Sequence, residues 1–281
     1  MDYELLDSGL GRKLERFSSI TLDRPCSQAV WLPQMSKELW AKADARYTRD
    51  ENGKWEYAKK PIAPWVLKGK YVNYKLSLTP FGHLGVFPEH HYQWDWMYQA
   101  YGEEGLKGCE VLHLFAYSGG GTLAAAQCGA RVCHVDASKG MTAWARENAT
   151  LNALEQAPIR WIVDDVMSFL KKESRRKRKY DAIILDPPSF GRGNKGQVFK
   201  IEEQMIPLLE LCRELLVPEP KFMLLTCHTP GYTPQTLSNL LYRYTRSFKG
   251  TLCSGEMTLN GKESTLPIPS GGYARFEGKY D

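Results

Sequence analysis

From residue 109 onward, short apolar runs alternate with amphipathic stretches at helical spacing, and this alternation constrains the fold more than any other feature of the chain. CEVLHLFA (109–116), RVCHVDA (131–137), PIRWIV (158–163), YDAIILD (180–186) and KFMLLTC (221–227) read as strands. The segments GTLAAAQCG, KGMTAWARENATLNAL, DVMSFLKKES, IEEQMIPLLELCRELL and PQTLSNLLYRYTRSF read as helices. YDAIILD is apolar almost throughout, which requires cover on both faces of its strand. TLCSGEMTL and GGYARFEG read as closing strands. The pattern predicts an α/β fold with a doubly wound parallel sheet. Such sheets bind ligands in the crevice where their strands end.

Before residue 105 the composition differs. Six of the eight tryptophans lie there, among short β-type runs broken by proline and glycine. We read residues 1–104 as a small β-rich region with a helix over 93–101, and 105–281 as the α/β domain. The tryptophans are expected to form the core of the small region, because small units need large side chains to bury enough area. The role of this region, recognising a substrate or covering a cofactor, stays open.

Several classes are set aside by composition. There is no run of eighteen uncharged apolar residues to cross a membrane. The start, MDYELLDSGLGRKLERF, has no apolar core of a secretory signal, although a chain already relieved of a transit peptide would read the same. The seven cysteines form no C-x-x-C pair and the six histidines no H-E-x-x-H pair, so neither a metal nor a disulfide framework is expected. Reduced thiols suit the cytoplasm. The net charge of +5 is local: KKESRRKRK (171–179) holds seven bases and one acid, and the rest of the chain carries thirty bases and thirty-one acids. This permits a polyanionic partner without demanding one. Nothing in the sequence fixes the oligomeric state.

Chemistry concentrates where the predicted strands end. The first runs into Phe115, Ala116, Tyr117, Ser118 and Gly119, then a helix whose N-terminal N–H groups are open to a ligand. A glycine turn needed only for packing would look alike. The second ends in Asp136, which can accept two ribose hydroxyls or cap the next helix. Together these point to an adenosine-containing cofactor, NAD or S-adenosylmethionine. The third ends in Asp164-Asp165, one of which can face an adenine amino group while the other caps a helix. The fourth ends in Asp186-Pro187-Pro188-Ser189-Phe190. Each proline fixes φ and lacks an N–H, giving a stiff turn with carbonyls left over and an aromatic face beside them. That suits a planar base held by stacking and backbone acceptors. A dehydrogenase has no task for it.

The segment from LHLFAYSGGG to TLNAL, followed by YDAIILDPPSFGRG, resembles the class I S-adenosylmethionine-dependent methyltransferases. It is most similar to the branch that modifies cytosine carbon-5 or guanine nitrogen-7 of large-subunit ribosomal RNA. The resemblance runs over about residues 75 to 281 and implies a Rossmann-like seven-stranded sheet. It implies that Phe115 to Gly119 hold the methionine part of the cofactor, Asp136 the ribose and Asp165 the adenine, with Ser138 also among the cofactor-binding residues. Asp186 would sit near the transferred methyl group. GVFPEHH stands where the family has a glycine-aromatic-aspartate-arginine stretch, so Phe87, Glu89 and His90 would touch the methionine end; the family's arginine is absent here. RNA as substrate is likewise implied by the resemblance. Methylation of a protein or small molecule, and a non-catalytic cofactor- or RNA-binding assembly factor, are the rival readings.

The acceptor atom is left open. A ring nitrogen can attack a sulfonium methyl unaided, whereas a pyrimidine carbon needs a thiolate to add first. Cys227 lies where cytosine-modifying relatives place that nucleophile, but its surroundings, Cys-His-Thr-Pro, depart from theirs. A buried apolar filler is the competing reading. The basic run 171–179 precedes the fourth strand and so belongs at the opposite end of the sheet, ~20 Å from the crevice. It reads either as a grip on a distant phosphate or as a solvated loop. Arg192, Lys195 and Lys200 follow the double-proline turn and lie on the crevice side.

Overall fold

In the computed structural model, residues 1–49, 53–193 and 196–279 are described. They form two compact units: Met1–Tyr92 with Met257–Ser270, and Gln93–Glu256 with Gly271–Asp281.

The first unit is built on a five-stranded sheet, β1 (Tyr3–Gly9), β2 (Arg12–Phe17), β3 (Ile20–Pro25), β4 (Ala45–Thr48) and β5 (Lys54–Tyr57), in sequential order with a short helix α1 (Lys37–Trp40) before β4. Leu10 and Gly11, with φ of 50° and 75°, close the β1–β2 hairpin, a turn whose left-handed residues match the strand twist. A separate hairpin joins β6 (Trp65–Leu67) to β7 (Tyr74–Leu76). The core of this unit is Leu5, Leu14, Phe17, Leu22, Leu67, Tyr74, Leu76 and Leu84. The tryptophans are not that core. Trp31, Trp40, Trp55 and Trp65 are only half-buried, and each donates its indole N–H to a loop or strand acceptor: Ser8 Oγ, Asp7 Oδ2, Thr79 O and Phe17 O. An indole with a polar handle is cheaper to leave at a boundary than to bury whole.

The second unit carries the predicted alternation. A 3₁₀ turn (Pro88–His90) leads into α2 (His91–Tyr101), where the two units divide. Then follow β8 (Glu110–Leu114), α3 (Gly120–Gln127), β9 (Arg131–Asp136), α4 (Lys139–Leu151), β10 (Ile159–Val163), α5 (Val166–Arg175), β11 (Ala182–Leu185), the hairpin β12 (Phe190–Arg192) and β13 (Val198–Lys200), α6 (Ile201–Leu215), β14 (Phe222–Cys227), α7 (Pro234–Thr245), β15 (Gly250–Leu259) and β16 (Ile268–Gly278). The sheet order is β10-β9-β8-β11-β14-β16-β15. β8 to β11 and β14 are mutually parallel, and β16 pairs antiparallel with β14. This is the expected α/β architecture with a Rossmann-like seven-stranded sheet. The chain winds outward from β8 to β10, then returns to the far side of β8 with β11. All four residues of β11 are buried, as its continuous apolar run requires. No helix among the described residues is long and apolar enough to cross a membrane.

Candidate active site

The strand order reverses at β8, and in open α/β sheets such a reversal is where ligands bind, outside the carboxyl ends of the strands. Register places Leu114 beside both Val135 and Leu185. The segments after β8, β9, β10, β11 and β14 therefore meet at one edge, and with them Phe115 to Gly119, Asp136, Asp165, Asp186 to Phe190 and Cys227.

The loop after β8 is wound tightly. Phe115, Tyr117 and Gly119 take left-handed φ of 54°, 49° and 92°. Two groups hold it there. Asp136 Oδ2 accepts the Tyr117 N–H at 2.8 Å, and Asn148 Nδ2 donates to Ser118 O at 2.9 Å. Asp136 Oδ1 accepts the Ser138 N–H at 2.8 Å, while Ser138 Oγ caps α4 through the Met141 N–H at 3.2 Å. Capping thus falls to Ser138, and Asp136 ties the ends of β8 and β9 together. Burial raises its carboxyl pKa, against the pull of the two N–H bonds. Packing accounts for Gly121 and adds to the left-handed φ at Gly119. A Cβ on Gly119 would stand 3.0 Å from Ala145 Cβ, and one on Gly121 2.8 Å from the Trp94 ring. No side chain caps α3, so the N–H groups of its first turn are open to an anion.

At the end of β10 the two aspartates divide their work. Asp165 Oδ1 caps α5 through the Ser168 N–H at 2.9 Å, and Asp164 pairs with Lys172 at 2.6 Å. The residue that the resemblance assigns to adenine is therefore the helix cap as well.

The turn after β11 is anchored from β14. Thr226 Oγ1 donates to Asp186 Oδ1 at 2.8 Å, and His228 Nδ1 lies 3.5 Å from the same oxygen. Ser189 Oγ and Thr229 Oγ1 are 2.7 Å apart. Pro187 is buried, and the carbonyls of Pro187 and Pro188 accept no hydrogen bond among the described residues. Phe190 is 53% exposed, with the Arg192 guanidinium 5.8 Å from its ring centroid. A half-exposed aromatic side chain can stack on a flat ring, and carbonyls without partners can accept from one. Sequence reasoning missed Thr226 and Thr229. Thr226 sits on β14 and Thr229 just beyond its end, and only the β11–β14 pairing brings them to the turn.

Cys227 is fully buried within the main apolar cluster, and burial pushes its thiol pKa up, with the Thr229 N–H at 3.4 Å opposing. Lys200 is paired with Glu203 at 2.8 Å, and Lys195 lies outside the described residues. Phe87, Glu89 and His90 belong to the first unit, where Phe87 precedes the 3₁₀ turn and its ring lies 5.6 Å from that of His83.

A doubly wound sheet with an uncapped helix at its first strand end, an acid at its second and a stiff acidic turn at its fourth is the architecture of a nucleotide-binding α/β protein. A family model described as S-adenosylmethionine-dependent methyltransferase matches residues 13–249, and the chain belongs to this family. A crystal structure of the S-adenosylmethionine-dependent methyltransferase from Agrobacterium tumefaciens is 38% identical, aligns over 99% of this chain and 91% of that one, and superposes with a TM-score of 0.93. The ribosomal RNA large subunit methyltransferase K/L of Shewanella sp. (strain ANA-3) is 32% identical over 52% of this chain and 20% of its own length. The ribosomal RNA large subunit methyltransferase I of Tolumonas auensis is 36% identical over 43% of this chain and 30% of its own. The chain thus spans under a third of these two relatives.

The carboxyl edge fits the family's cofactor. The uncapped first turn of α3 suits a carboxylate. Asp136 is half-buried at a strand end with lone pairs left after its two N–H bonds, which suits vicinal hydroxyls. Asp165 Oδ2 has no partner among the described residues and suits an amino group.

Proposed function

We propose that this protein transfers a methyl group from S-adenosylmethionine to a base of RNA, within large-subunit ribosomal RNA. One observation carries the substrate class: the Asp186–Phe190 turn, fixed by Thr226 and Thr229, offers two unengaged carbonyls and a half-exposed aromatic side chain. That set recognises a flat heterocycle lifted out of its stack. The names of the ribosomal RNA relatives support RNA as its source.

The cofactor supplies an electrophilic methyl group. The chain's own part is alignment. In this reading Phe115 to Gly119, Asp136, Ser138 and Asp165 hold the cofactor. Phe190 stacks on the base, and the Pro187 and Pro188 carbonyls accept from its amino or imino hydrogens. Asp186, kept in place by Thr226, orients the acceptor atom; holding two reactants in line supplies much of such a rate. We favour a nitrogen acceptor. A carbon acceptor needs a thiolate, and Cys227 is fully buried with its thiol pKa raised. The seven free cysteines and the RNA partner fit a cytoplasmic enzyme.

The test is direct. Purified protein, methyl-labelled S-adenosylmethionine and ribosomal RNA from cells lacking the gene should yield one labelled nucleoside on digestion and mass spectrometry. Label in protein or small molecules instead, or cofactor binding with no product, replaces this reading with one of its rivals.

A further inference from the structure

The opposite edge of the sheet holds a second feature. Where β9 and β10 begin and the α5–β11 loop enters β11, a cavity of about 350 Å³ opens. Arg131, Arg160, Arg178 and Lys179 line it, against one acid, Glu110, already bonded to Arg131. The basic run of the sequence is thus part of a walled hollow rather than a fringe on a loop.

Its foundation is built. Glu173 is fully buried in the last turn of α5 and takes Arg160 at 3.3 Å, Arg176 at 3.0 Å and the Tyr180 hydroxyl at 2.6 Å. Burial would raise its carboxyl, but the Tyr180 bond and then the two guanidinium groups outweigh it and keep the pKa low. A buried anion fixes Arg160 in the cavity wall. Lys179 Nζ is held by the Glu214 carbonyl at 2.6 Å. Lys177 takes the left-handed slot after α5, φ 54°, where glycine is the usual residue. Arg175, Lys177 and Arg178 have no carboxylate partner among the described residues. Cations at a helix C-terminus favour the helix by themselves; that does not account for Arg131 and Arg160, which come from strands, facing the same hollow.

We propose that this amino-edge cavity is a phosphate site that grips the RNA backbone away from the reacting base. The inference rests on the RNA reading above. The five residues of β10 put about 16 Å between the two edges, so the cavity positions the RNA without reading its sequence.

The experiment uses the full chain, a fluorescein-labelled mixed-sequence RNA of twenty nucleotides, and the double variant Arg131→Gln/Arg178→Gln, both exposed positions. Every phosphate-binding cation removed should flatten the log K against log salt slope by ~0.7, so the pair should lower it by roughly 1.4 and weaken binding about tenfold near 0.1 M salt. Lys59→Gln/Lys60→Gln, an equal charge change in the first unit, should alter binding less than twofold. In methyl transfer to ribosomal RNA the cavity variant should raise KM with kcat held. An unchanged slope in a folded cavity variant, or equal weakening in both variants, overturns the site. If the wild-type protein methylates no RNA, the functional reading fails instead, and the salt slope reports the cavity independently.

Discussion

The two edges of the parallel sheet are made from the same strands and differ in almost every physical respect. At the carboxyl edge, three acids are held by backbone N–H groups and hydroxyls, Asp136 by Tyr117 and Ser138, Asp165 by Ser168 and Asp186 by Thr226, while Asp164 alone of those described takes a lysine. At the amino edge, the buried acid is held by guanidinium groups and a phenol. An acid held by neutral donors keeps its negative charge on offer to a cationic or hydroxylic ligand. An acid neutralised by arginines leaves the surplus positive charge on offer instead. The parallel sheet supplies this asymmetry, because helix N-termini cluster at one edge and C-termini at the other.

The contrast can be broken in order of expected effect. Asp186→Ala should cost about a hundredfold in kcat, the scale of a misaligned reacting group, while cofactor affinity measured by calorimetry stays within a few-fold. Equal reduction of both would move Asp186 into the cofactor site. Asp136→Ala should weaken cofactor binding by tens of fold, on the order of one or two charged hydrogen bonds. Because it also frees the Tyr117 and Ser138 N–H groups, a fall in Tm should accompany it; a fall in Tm with cofactor affinity intact would leave Asp136 a purely structural tie. Phe190→Ala should reduce RNA affinity about tenfold, the scale of one base–aromatic stack, with Phe190→Tyr close to wild type. RNA carrying 5-fluorocytidine should form no covalent adduct, and Cys227→Ser should retain activity; an adduct that disappears in Cys227→Ser would restore the carbon acceptor.

The smallest effect tests the amino edge. The folded Glu173 carboxyl has a lowered pKa, so its stabilising contribution is present above the unfolded value of 4.5 and fades as pH falls through the folded one. Glu173→Gln should therefore lower Tm by several degrees at pH 7, and the gap to wild type should close as pH drops below 4.5. A gap that is independent of pH would show that packing rather than charge holds Glu173.

Much of the carboxyl edge was legible in the chain because it is local. A strand's last residue, the acid after it and the helix cap beyond lie within a few positions of each other. Asp136, Asp165 and Asp186 could be assigned to strand ends from apolar runs alone. What could not be read was which partner each acid takes. Ser138 rather than Asp136 caps α4, and Asp165 rather than Asp164 caps α5, choices of one residue that depend on where a helix begins its first turn. Thr226 and Thr229 lie forty residues from the turn they anchor, and no spacing rule joins them.

The sequence by itself determined the alternation of strands and helices, the parallel sheet and the strand ends where chemistry gathers, since each follows from periodicity and from what a buried strand must carry on its faces. Only the tertiary structure decided that Cys227 is sealed in the core, that tryptophans serve as half-buried anchors, and that arginines from two strands and a loop converge on one hollow. Those outcomes depend on which residues distant in the chain become neighbours, and burial and electrostatics act through space rather than along the backbone.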